Sequence, residues 1–79
     1  MGINRSRDPN NHIGFLTMWA LESHRKKRFP NWDKEEILSE AYLQAYRLLN
    51  TVYDPDKSTV VTFLKGFLWG AVQIGRAHV

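Results

Sequence analysis

The stretch from Lys34 to about Tyr53 constrains the fold more than any other part of the chain. It places Leu38, Ala41, Ala45, Leu48 and Val52 three or four residues apart, the spacing of an α-helix with one apolar face. Asp33 stands where an N-cap belongs, and Glu36 follows three residues later, the spacing of a capping box. Glu35 and Glu36 also suit the positive end of a helix dipole. An amphipathic rod of this length must cover its apolar side, and the sequence on either side supplies further helices to do so.

The first of these runs from about Asn11 to Lys27, capped by Asn10 or Asn11. Ile13, Leu16, Ala20 and His24 share one face, while Phe15, Met18 and Glu22 lie on another. It closes on Arg25, Lys26, Lys27 and Arg28, cations that complement the dipole at a helix C-terminus. Phe29-Pro30-Asn31-Trp32 breaks the pattern, because Pro30 disfavours helix at Phe29 and has no N–H to donate. Asp54-Pro55-Asp56-Lys57-Ser58 is the second break and has the chemistry of a turn. The last segment begins at Thr59, an N-cap, and runs to Val72, with Val60, Phe63, Leu64, Phe67 and Ala71 on a broad apolar face and Thr62, Lys65 and Trp69 opposite. Val60 and Val61 also suit a strand, but the Phe63/Phe67 and Leu64/Leu68 spacing favours helix. The expectation is an all-α fold, a small three-helix bundle. Its expected core is Leu16, Ala20, Leu38, Ala41, Ala45, Leu48, Val52, Phe63, Leu64 and Phe67.

Composition bounds what such a bundle does. At 79 residues it is one small domain, with a formal charge of +3 that permits nucleic-acid binding without demanding it. No cysteine is present, which excludes a disulfide scaffold and a thiolate zinc site and fits a reducing cytoplasm. There is no run of apolar residues long enough for a membrane span, and Met1 to Asn11 lacks the apolar stretch of a signal peptide. His12, His24 and His78 share no metal-like spacing, and Asp54 and Asp56 are too few for a calcium loop. With no phosphate-cradling glycine loop, nucleophile elbow or paired catalytic carboxylates, the reading is of a non-enzyme with no cofactor, no catalytic or metal residues and no small-molecule substrate. Residues 1–10 are expected to form a flexible N-terminal segment and 11–72 the helical domain. The last residues, Ile74 to Val79, resemble the translation of a common sequencing-library adapter, whose preceding bases account for Gln73, so 73–79 is read as a non-native tail.

Three surface groups stand out. Glu36, Ser39, Glu40, Leu43 and Arg47 lie opposite the apolar stripe of the second helix, with Tyr46 beside them. This is either a solvated face with scattered apolar residues or a docking surface with an apolar centre and acidic neighbours. Trp69 and Lys65 pair an aromatic ring with a cation, as a single-stranded nucleic acid requires; the alternative is a Trp69 packed against a further helix. Arg25, Lys26, Lys27 and Arg28 form a basic run that either caps and solvates a helix end or contacts phosphate.

The order of motifs between Glu36 and Val72 narrows these choices. Glu36-Ile37-Leu38-Ser39-Glu40 opens it, Tyr53-Asp54-Pro55 marks the turn, and Thr62-Phe63-Leu64 enters the last helix. This order resembles the second conserved region of bacterial RNA polymerase sigma factors over about half the chain. Ser58 departs from the small, glycine-like residue usual in that turn. Gly66 and Phe67 stand where primary-type factors carry a tryptophan pair, and Trp69 where a basic residue often lies. The resemblance implies a sigma region 2-like bundle lacking its C-terminal helix. It also implies a partner, core RNA polymerase, whose largest-subunit coiled coil meets Glu36, Ser39, Glu40, Leu43, Tyr46 and Arg47. A second implied partner is promoter DNA, whose −10 element meets Thr62, Lys65 and Trp69; Arg25, Lys26, Lys27 and Arg28 are further candidate phosphate contacts on their charge alone. Two alternatives stay open: a small bacterial or phage helix-turn-helix regulator acting without polymerase, and a protein-interaction module that binds no nucleic acid. The former needs a recognition helix rich in Arg, Asn or Gln, and the third segment is too apolar for that.

Overall fold

A computed structural model describes residues 3–77. Two short 3₁₀ turns, Ile3–Arg5 and Pro9–His12, lead into α1 (Ile13–Arg25), α2 (Lys34–Thr51) and α3 (Val60–Ala77). The fold is an all-α three-helix bundle in which α2 is central and packs against both of the others. The helix starts follow from local chemistry. Asp33 Oδ1 accepts from the Glu36 N–H at 2.9 Å, and Glu36 Oε1 accepts from the Asp33 N–H at 2.9 Å, which completes the capping box. Thr59 Oγ1 accepts from the Thr62 N–H at 3.4 Å, so Val60 and Val61 open a helix. α3 continues through the first residues of the expected tail; residues 78 and 79, His78 among them, lie outside the described residues.

The buried stripes differ from the expected ones in a systematic way. In α2 the buried row is Ile37, Ala41, Ala45 and Leu49, leading to Tyr53; in α3 it is Val60, Leu64, Leu68 and Val72 with Phe63. Leu38 and Leu48 are only half-buried, while Val52 is 58% and Phe67 53% exposed. The sequence reading alternated steps of three and four, the seam of near-parallel helices. Both helices instead bury rows with a constant step of four, the ridges that interdigitate in the commonest class of helix crossing. Such a row turns about 40° further around the helix at each step, and over the four steps of α2 and the three of α3 this carries Val52 and Phe67 out of the interface. In α1, Leu16 and Ala20 are buried as expected, whereas Ile13 and His24 are exposed.

The segment between α1 and α2 supplies a core residue that periodicity could not place. Lys27 adopts φ 57°. Its N–H donates to His24 O at 3.0 Å, and the Arg28 N–H donates to Ser23 O at 3.0 Å. This is a Schellman motif with lysine at the left-handed position where glycine is usual. The reversal drops Phe29 into the bundle, where it is 1% exposed. Its ring lies 6.3 Å from that of Trp19, 5.7 Å from Trp32 and 5.1 Å from Trp69, between centroids.

The N-terminal segment is tied to the bundle by hydrogen bonds of Arg5, Arg7 and Asn10. α2 has no cation in its own last turn, and Arg7 takes that place: its guanidinium donates to Leu49 O at 2.8 Å and Tyr53 O at 3.2 Å. Pro9 is buried, Tyr42 Oη donates to Asn10 Oδ1 at 3.0 Å, and Arg5 Nε donates to Pro55 O at 2.8 Å. Tyr53, buried against Phe63, donates its hydroxyl to Ser58 O at 2.8 Å and so fixes the turn between α2 and α3. No helix among the described residues is long and apolar enough to cross a membrane.

Candidate partner-binding surfaces

The capping box fixes where α2 starts, and with it the direction of every side chain on the helix's outer face. Glu36, Ser39, Glu40 and Leu43 follow one another along this face. With Trp32, Asp33 and Glu35 they line an open groove of about 530 Å³. Four carboxylates border it, on a chain whose formal charge is +3, so the groove locally inverts the sign of the molecule. Leu43 is 51% exposed and Tyr46 55%, a pair of large apolar surfaces in the middle of a polar face. Of the six residues expected here, four line the groove. Tyr46 and Arg47 lie further along the helix, and Arg47 borders a separate depression with Val52 and Ala71.

Glu40 is held by its neighbours. Gln44, itself buried, donates from Nε2 to the Glu40 carboxylate at 2.7 Å and accepts from the Arg47 guanidinium at 3.2 Å. The ladder satisfies a buried amide and fixes the acid at the groove's edge, which lowers the ordering cost a partner would otherwise meet. Glu36 already serves the helix cap, so only part of its hydrogen-bonding capacity faces outward.

Trp32, Asp33 and Glu35 were absent from the sequence-based site. A signal was available: an apolar residue just before an N-cap is the position of a hydrophobic staple, whose partner four residues into the helix is here Ile37. In the fold Trp32 packs against the core, stacked on Phe29 at 5.7 Å between centroids, and lines the groove.

The α3 candidates separate. Thr62 and Lys65 are exposed, and the Thr62 hydroxyl accepts from Thr59 Oγ1 at 3.1 Å. Trp69 departs from the expected outward position. It is half-buried against Phe29, and the Arg28 guanidinium covers its ring at 5.3 Å from the centroid. The cause is the step-of-four row again, which turns Trp69 towards the loop and Phe67 away from it.

The basic run divides in the same way. Arg25 and Lys26 each pair with Glu22 at 3.0 Å. The hydrogen bond from Lys26, with the charges of Arg25 and Lys26 beside it, holds the Glu22 carboxyl below its ordinary value. Arg28 is engaged on Trp69. Lys27 has no carboxylate within ion-pair distance among the described residues, and it borders a second pocket with His24, Phe29, Pro30 and Trp32.

No family model matches the chain, and no curated protein or solved structure does so either.

Proposed function

We propose that the chain is a sigma-like transcription initiation factor, docking on core RNA polymerase through the outer face of α2 and engaging promoter −10 DNA from the side of α3. The observation that carries this reading is the acidic groove with Leu43 open at its edge. An apolar contact beside carboxylates suits a helical partner with a basic, partly apolar surface, such as the coiled coil of the largest polymerase subunit. The motif order from Glu36 to Thr62-Phe63-Leu64 supports the same partner by resemblance. Of the three α3 candidates, Lys65 and Thr62 are the exposed ones available to DNA. The factor would act in the cytoplasm, without a cofactor.

Reversing one charge tests the docking. Glu40→Lys is expected to abolish binding to core polymerase. It also withdraws the acceptor from the Gln44 amide, which costs about 1–3 kcal/mol of stability. Glu40→Gln keeps an acceptor in place and removes only the charge; it is expected to fold like the parent and bind less tightly. Unaltered polymerase binding by Glu40→Lys in a pull-down would overturn the reading. The withdrawn position of Trp69 favours one second reading, a docking module that meets the same kind of protein surface without nucleic acid. A free chain with no salt-dependent affinity for DNA would support it.

A further inference from the structure

The pocket at the end of α1 is lined by His24, Lys27, Phe29, Pro30 and Trp32 and has a volume of about 380 Å³. No carboxylate lines it, although the acidic groove begins on the other side of Trp32, a residue common to both. Within the basic run it is Lys27 whose charge, among the described residues, no Glu or Asp neutralises and no ring covers. Lys27 also occupies a left-handed backbone position, φ 57°, at which glycine would be favoured. A side chain kept at a strained position beside a pocket is the kind of outlier that points to function.

We infer that this pocket holds one nucleotide of a single-stranded nucleic acid, with its phosphate against Lys27 and His24 and its base against Pro30 and the Trp32 indole. Base stacking on an aromatic wall tolerates any sequence, and a lysine meets the phosphodiester as a point charge. An unpaired strand can present base and phosphate together to so small a site, whereas a duplex keeps its bases stacked inside. The inference extends the nucleic-acid half of the reading above to a surface that α3 does not include, and it does not depend on polymerase docking. Because Trp32 is shared, a strand in this pocket would lie beside a protein docked in the acidic groove.

The backbone of Lys27 gives a test that misfolding cannot imitate. Lys27→Gly relieves the left-handed strain and is expected to raise the melting temperature by about 4–8 °C. The same variant is expected to weaken binding of a short labelled oligothymidine to the full chain about tenfold in fluorescence anisotropy, and to reduce the slope of log affinity against log salt by about 0.7. Lys27→Arg should restore most of the affinity, and Trp32→Ala should lose about tenfold or more. Unchanged affinity in a stable Lys27→Gly protein would overturn the inference. So would equal affinity for duplex DNA, or loss of binding only in Lys65→Glu. Competition by thymidine monophosphate at the concentration of the oligonucleotide would assign the pocket to a free nucleotide and overturn the claim for a strand.

Discussion

Phe29→Ala is expected to remove a large share of the chain's stability, the largest loss of any single truncation in the bundle. The side chain is 1% exposed and contacts an aromatic ring from α1, from α3 and from the residue just before the α2 cap. Its truncation removes the buried area of a phenylalanine and leaves a cavity among three tryptophans too large to close, a loss of about 3–5 kcal/mol. A chain of 79 residues has only ~4–12 kcal/mol of stability to lose. The effect is read as a fall in the urea midpoint followed by circular dichroism. An unfolding free energy from that titration within about 1 kcal/mol of the parent's would mean that the loop does not hold the bundle together in the way described.

Leu43→Ala should leave the fold intact and remove most of the polymerase affinity. Half of the Leu43 surface is open to solvent, and alanine is the better helix former, so stability should stay within about 0.5 kcal/mol. In the proposed complex the same side chain is the apolar contact at the edge of the acidic groove, where truncation of an anchor costs about 2 kcal/mol or more, roughly thirtyfold in Kd. Lost binding at unchanged stability is the mark of a docking residue. If Leu43→Ala bound polymerase as tightly as the parent and Tyr46→Ala did too, the outer face would be an ordinary solvated surface.

Much of the fold was legible from local signals. The capping box at Asp33 and Glu36, the cap at Thr59 and the turn at Asp54-Pro55 each depend on residues close together in sequence, and each stands where the sequence put it. Crossing geometry was less legible, because a stripe such as Leu38-Ala41-Ala45-Leu48 and its neighbour Ile37-Ala41-Ala45-Leu49 are equally apolar. Only the partner helix decides between them. The same limit explains Trp69, whose environment is set by a loop residue more than thirty positions earlier. Arg7 escaped notice for a related reason: a polar N-terminal segment gives no periodic signal, and its guanidinium finds the α2 carbonyls only once the bundle exists. In the candidate site, Glu36, Ser39, Glu40 and Leu43 were readable from helical spacing, while Trp32 and Glu35 join them through the geometry of the helix start.

Titrating the isolated coiled coil of the largest polymerase subunit into isotope-labelled protein, with backbone amide shifts followed by NMR, puts the main proposition to its most direct trial. Shifts concentrated at Trp32, Glu36, Ser39, Glu40 and Leu43, with the α1 face of the bundle unmoved, are the expected result. Binding that perturbs α1 and spares those positions, or no binding at all by a folded chain, would contradict it.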